Sequence, residues 1–139
     1  MSRSKAIEML KRHEGYRSKP YRCSAGKITI GYGRNLEDVG VNESEAEILL
    51  INDYNAAEDE ASKFSWFEGL SDVRREVVIM MIFNLGYPRF TGFKKTIAAL
   101  AAGDYESAAS EMLDSKWAAQ VGLRAFELSA MMQYDTFDV

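Results

Sequence analysis

The sequence predicts an α+β domain, mostly α, with a small hairpin lobe near the N-terminus and a larger helical lobe after it. Three observations carry this. Capped segments with helical apolar spacing fill most of the chain from Asn42 onward. The clearest hairpin signal lies between Tyr21 and Ile30. Val77 to Phe83 is an unbroken apolar run, and a helix that is apolar all round belongs at the centre of a helical lobe. At 139 residues the chain has the size of one domain and is long enough to bury a core. With 47% hydrophobic residues and two prolines, it leaves little room for a disordered tail or linker.

Ser2 or Ser4 is placed to cap a first helix in which Ile7, Leu10 and Glu14 share one face. Gly15 sits where a glycine in the left-handed conformation would stop it. Glu14 is therefore expected at a helix C-terminus on an otherwise apolar side. There, partial burial and the negative end of the helix dipole would both disfavour its charged form. The plain alternative is an exposed carboxylate on a fraying last turn.

Two short strands follow, near Tyr21–Cys23 and Lys27–Ile30, joined by Ser24-Ala25-Gly26. A three-residue loop with glycine in third place suits a type I turn followed by a left-handed bulge residue. That register pairs Cys23 with Lys27 and points Cys23 and Thr29 to the same face. Ile28 and Ile30 take the other side, as the lobe's small core. Gly31-Tyr32-Gly33 then lets the backbone turn tightly or come close to a ligand.

Asn42 and Ser44 offer caps for a connecting helix from about Glu43 to Ser62. Ser71 caps a helix through Leu85, closed by Gly86, which carries the apolar run. Thr91 to Ala102 reads as one helix ending at Gly103, Asp104 caps another to Leu113, and a last one lies within about Gly122 to Gln133. Trp66, Trp117 and the methionines are expected in the core. Short connections favour antiparallel packing around the central helix, and a cleft between two such lobes is a usual place for a binding site.

The totals exclude several classes. One cysteine makes no internal disulfide, and one cysteine with one histidine makes no structural zinc site. A net charge of −4 argues against a nucleic-acid binder. Lys5, Lys11, Arg12, Arg17, Lys19, Arg22, Lys27 and Arg34 nevertheless crowd the first quarter and could attract an anionic polymer. The N-terminus shows no signal peptide. The apolar run is far short of the roughly 20 residues that cross a bilayer, so no stable membrane insertion is expected and the chain is read as made in the cytosol.

A carboxylic acid facing a cleft, with a second polar group beside it, is the equipment for cleaving a glycosidic bond. The residues alone reach a candidate acid catalyst and do not single out Glu14 among 21 acidic side chains. His13 suggests a cysteine–histidine nucleophile. Neighbours on a helix point about 100° apart, however, so His13 and Glu14 do not easily serve one site. A lone cysteine in an unknown chain is most often inert packing.

The order Glu14, eight residues, Cys23, five residues, Thr29 resembles the Glu–Asp/Cys–Thr triad of phage lysozymes of the T4 type, glycoside hydrolase family 24. The surroundings are similar too: Lys19, Tyr21, Gly26, Thr29-Ile30-Gly31-Tyr32-Gly33, Val73-Arg74-Arg75, Phe83-Asn84-Leu85-Gly86, Phe90-Thr91-Gly92-Phe93, Ser115-Lys116-Trp117, Gln120 and Arg124-Ala125. The resemblance covers nearly the whole chain. It implies a single lysozyme-like catalytic domain over residues 1–139, with a small lobe at about 13–60 and a helical lobe at about 61–139 that includes helix 1–12.

The resemblance further implies an endolysin that hydrolyses the β-1,4 bond between N-acetylmuramic acid and N-acetylglucosamine of bacterial peptidoglycan, with no cofactor and no metal. Glu14 would be the general acid and Thr29 would help place the attacking water. Asn35, Phe83, Thr96, Glu111 and Gln120 fall at groove positions. Arg124 matches an arginine that pairs with the catalytic glutamate. Arg34 and Asp53 stand where the family has a structural histidine–aspartate pair, which implies an Arg34–Asp53 salt bridge. The expected protein is a monomer without a separate wall-binding domain, as in phages of Gram-negative hosts. It would wait in the host cytoplasm until a holin or other membrane lesion admits it to the periplasm and wall.

Three departures bear on mechanism. Cys23 replaces the aspartate of the best-known members, and a thiol ionises near about pH 8.5 unless tuned; thiolate base, nucleophile and positioning group all stay open. The loop from Leu36 to Asn42 is short compared with larger members, and the acidic net charge is unlike that of the strongly basic members. Against the muramidase stand a non-catalytic wall-binding or virion module, which has no need of the acid, and a lytic transglycosylase, which usually relies on one glutamate alone.

Overall fold

The computed structural model describes residues 2–139. In chain order it comprises α1 (Ser2–Glu14), β1 (Arg17–Arg22), β2 (Ile28–Gly31), β3 (Arg34–Asn35), α2 (Glu43–Ala61), α3 (Asp72–Leu85), α4 (Tyr87–Phe90), α5 (Lys94–Ala102), α6 (Tyr105–Leu113), α7 (Lys116–Val121) and α8 (Leu123–Tyr134). A 3-10 turn, Phe67–Gly69, precedes α3. The fold is α+β and mostly α. It divides into two compact units, one ending at Ile48 and the other running from Leu49 to Val139.

In the first unit, α1 stops at Gly15, which turns to φ +69° while its N–H still donates to Lys11 O at 2.9 Å. Glycine bears that left-handed conformation without a Cβ penalty. Ser2 and Ser4 both lie inside α1, so neither stands in front of it as a cap. The sheet is antiparallel in the order β1-β2-β3. Tyr21 faces Thr29 and Arg22 faces Ile28; Thr29 faces Asn35 and Ile30 faces Arg34. β1 starts earlier than the sequence suggested, at the cost of an irregularity between Arg17 and Tyr21, and β3 was not foreseen. Nor does the far face of the sheet form a closed core: Ile28 is 37% exposed and Ile30 half-buried. Their cross-strand partners are Arg22 and Arg34, whose alkyl stems add only partial cover while the guanidinium of Arg22 donates to Gly26 O and that of Arg34 to Gly40 O and Glu45.

α2 begins with a reciprocal cap. Glu45 N–H donates to Asn42 Oδ1 and Asn42 N–H donates to Glu45 Oε1, both at 2.9 Å, which satisfies two donors the helix would otherwise leave open. The same Glu45 carboxylate receives the fork of Arg34, whose Nη1 lies 2.8 Å from Oε1 and whose Nη2 pairs with Oε2. Arg34 also donates to Gly40 O at 2.9 Å. The expected Arg34–Asp53 bridge is thus replaced by Arg34–Glu45: the cap holds Glu45 at the very start of α2, and Asp53 is exposed roughly two turns further along the helix.

Arg34 and the Asn42 N–H together depress the Glu45 carboxyl to about 2. A depressed carboxylate contributes stability above its unfolded value of about 4.3 and loses it as pH falls through the folded one. The melting-temperature gap between wild type and Glu45→Gln should therefore be widest above about pH 5 and close toward pH 2. A gap that does not vary with pH would show that the charge plays no part.

In the second unit α3 is central. Ser71 caps it by accepting from Arg74 N–H at 3.2 Å, and Gly86 ends it at φ +84°. Val77, Val78, Ile79, Met81, Ile82 and Leu85 are all buried, joined in one core by Leu100, Ala108, Met112, Leu128, Met131 and Met132. Arg74 also closes α8: its Nε donates to Met132 O at 2.7 Å, its Nη2 to Gln133 O at 3.0 Å, and its guanidinium lies 4.0 Å from the Tyr105 ring centroid. Trp117 is buried and Trp66 half-buried against Phe64. Met9 departs from the core expectation at 47% exposed.

The helix expected over Thr91–Ala102 starts only at Lys94, and α4 precedes it. Between them Thr91 Oγ1 donates to Pro88 O at 2.6 Å and Gly92 N–H to Arg89 O at 3.1 Å. A Cβ at Gly92 would come 3.2 Å from that same carbonyl, close enough that the carbonyl would have to give by a few tenths of an ångström. Phe90, fully buried, packs edge-on against Phe64 at 5.7 Å. Phe90→Ala should cost about 3–5 kcal/mol in denaturant unfolding; a loss under about 1 kcal/mol would mean that the site collapses around the gap.

Candidate functional site

The hairpin joining β1 to β2 has the expected geometry. Cys23 N–H donates to Lys27 O at 3.0 Å, Gly26 N–H to Cys23 O at 2.8 Å, and Gly26 adopts φ +78°. Strand alternation therefore puts Tyr21, Cys23, Thr29 and, across β2–β3, Asn35 on one face of the sheet. Thr29 is 3% exposed and Cys23 half-buried.

The turn does more than set register. The N–H of Lys27, then that of Ala25, then the Thr29 hydroxyl lower the Cys23 thiol below its ordinary value, against a smaller upward push from burial. Donors aimed at sulfur favour the thiolate. Thr29 has one hydroxyl proton and two acceptors. It donates to Lys27 O at 2.9 Å, and it must turn from that carbonyl to hydrogen-bond a thiolate. Sequence reasoning brought Cys23 and Thr29 together but missed the backbone donors, although a three-residue loop of this type directs its N–H groups inward.

Glu14 ends α1 and is exposed, so the partial burial expected from the sequence is absent. Its carboxylate lies against the turn between β2 and β3: a Cβ built on Gly33 would be 2.7 Å from Glu14 Oε2. Tyr32 of that turn packs on Tyr16 with ring centroids 5.6 Å apart, and Lys11 Nζ of α1 lies 5.9 Å from the Tyr32 ring centroid. Acid-bearing helix and sheet are thus fastened to each other. Asn35 is tied into its own loop, accepting from Asp38 N–H and donating to Asp38 Oδ2, both at 3.0 Å.

The remaining sequence candidates lie in the second unit and separate into three places. Thr96, 2% exposed, and Glu111 line a cavity of 410 Å³ with Phe93, Lys94, Lys95 and Ser115. Phe83 and Arg124 line another, of 490 Å³, walled by Leu50, Met80, Leu128 and Met131. Gln120 is exposed on α7, an element that the sequence reading overlooked although Ser115 caps it by accepting from Ala118 N–H at 3.1 Å. Among the described residues no three His, Cys, Asp or Glu side chains gather as a metal site, and no helix is long and apolar enough to cross a membrane.

The sequence matches the phage lysozyme family profile over residues 11–131. It is similar to an endolysin of Acyrthosiphon pisum secondary endosymbiont phage 1, 32% identical over 81% of this chain and 77% of that one. Two proteins of Dictyostelium discoideum, a probable T4-type lysozyme 1 and a probable T4-type lysozyme 2, are 24% and 23% identical over 94% and 91% of this chain, and over 95% and 96% of their own. The matched stretch includes α1 from Lys11, the whole sheet and most of the helical unit, and so the chain belongs to the phage lysozyme family.

Proposed function

We propose that Glu14, Cys23 and Thr29 are the catalytic residues of a muramidase that cleaves the β-1,4 bond between N-acetylmuramic acid and N-acetylglucosamine. Membership of the family makes the protein a lysozyme, a hydrolase of peptidoglycan that serves host lysis. The observation that carries the residue assignment is the hairpin register, which sets Cys23 and Thr29 on one face next to the turn that Glu14 touches.

In this mechanism Glu14 protonates the departing glycosidic oxygen. The Cys23 thiolate, favoured by the Lys27 and Ala25 N–H groups, takes a proton from water held by the Thr29 hydroxyl, and that water attacks the anomeric carbon. Asn35, Phe83, Glu111, Gln120 and Arg124 contact the glycan, while Thr96, buried at 2% exposure, shapes the cavity that Glu111 also lines. Residues 1–139 work as one catalytic domain and as a monomer, released from the host cytoplasm to the wall by a holin or similar lesion.

Purified, protein-free sacculi test the reaction class. Clearing should be accompanied by new reducing sugar with constant free amine. New amines with no reducing sugar would make the protein an amidase or peptidase, and binding without clearing would make it a wall-binding module.

A further inference from the structure

Gly33 sits in the two-residue turn between β2 and β3 at φ +86°, and Gly31, the last residue of β2, is at φ +69°. A Cβ at Gly31 would meet nothing within 4 Å, whereas a Cβ at Gly33 would lie 2.7 Å from Glu14 Oε2, 3.1 Å from Cδ and 3.4 Å from Cγ. Both glycines have a positive φ, and they differ in what stands beside them. Only Gly33 leaves the volume in which the Glu14 carboxyl rests.

We propose that Gly33 is the positioning residue for the general acid: its missing side chain forms the seat against which the Glu14 carboxyl is held. The inference rests on Glu14 being that acid. The clash is with the far end of a flexible side chain, so a methyl group at position 33 swings the carboxyl away rather than breaking the fold. The turn itself cannot easily yield, because Tyr32 is packed on Tyr16 and lies beside Lys11 of α1. Misplacing a reacting group by about 1 Å can cost on the order of 100-fold in rate.

The test compares Gly33→Ala with Gly31→Ala in kcat, KM and melting temperature on purified sacculi. Both carry the same kind of backbone penalty, so their melting temperatures should fall alike. Gly33→Ala should lose about 10- to 100-fold in kcat with KM nearly unchanged, while Gly31→Ala stays within about threefold of wild type. Glu14→Asp, whose shorter side chain withdraws from the added methyl, should lower activity less in the Gly33→Ala background than alone. Equal losses in both glycine variants, no loss in either, or full additivity with Glu14→Asp would overturn the proposal.

Should Gly33→Ala not fold, Tyr32→Ala carries the test by freeing the turn from Tyr16. A drop in kcat at constant KM supports the seat, and unchanged kcat overturns it. Glu14→Gln, measured alongside, separates the two layers: if it is active, the acid assignment fails. If it is dead while Gly33→Ala behaves as Gly31→Ala, only the seat fails.

Discussion

Glu14→Gln should lower kcat on purified peptidoglycan by roughly 10²- to 10⁴-fold, the usual contribution of a positioned acid, with little change in KM or melting temperature. The amide has the size of the carboxyl but no proton to give to a leaving alkoxide. Because Glu14 is exposed at the last residue of α1, the substitution removes no buried contact, and loss of activity cannot be ascribed to unfolding. Turbidity clearing alongside thermal unfolding measures both. A variant that clears walls as fast as wild type removes Glu14 from the mechanism.

The Cys23 series should show the second-largest effect. Cys23→Ser replaces a thiol that the loop donors make more acidic with a hydroxyl that stays neutral at working pH, and should lose on the order of 100-fold. Cys23→Asp restores an anion and should recover most of the rate. The pH profiles follow from the direction of the shift. Wild-type activity should rise as pH climbs through a thiol value lowered by those donors. The aspartate variant, ionising near about 3.9, should carry its acid limb to lower pH. A serine variant with wild-type rate would leave Cys23 as packing or as a neutral positioning group.

Much of this was legible in the sequence, for local reasons. Helix stops and caps depend on residues a few positions apart: Gly15, Ser71, Gly86, Gly103 and Asp104 all act where sequence reading puts them. The hairpin was legible because loop length and the place of Gly26 fix the register, and with it the shared face of Cys23 and Thr29. What escaped depends on context that pattern does not carry. β3 is two residues long and exists only because the Gly31–Gly33 turn folds it back onto β2.

The pairing of Arg34 followed family analogy to Asp53, although Asn42-x-x-Glu45 was a readable capping box that presents a nearer carboxylate. The break before α5 is marked by the hydrogen bond from Gly92 N–H to Arg89 O. Helical spacing over Thr91–Ala102 does not reveal that contact. Glu14 itself was identified by resemblance rather than by periodicity, and its seat at Gly33 by distance alone.

The most direct measurement is mass spectrometry of the sugar ends that wild-type enzyme releases from purified peptidoglycan in ¹⁸O-labelled water. Hydrolysis by acid and activated water predicts N-acetylmuramic reducing ends carrying the heavy isotope, absent from the Glu14→Gln digest. Unlabelled 1,6-anhydro-muramic ends, or intact glycan strands with newly freed amines, would contradict it.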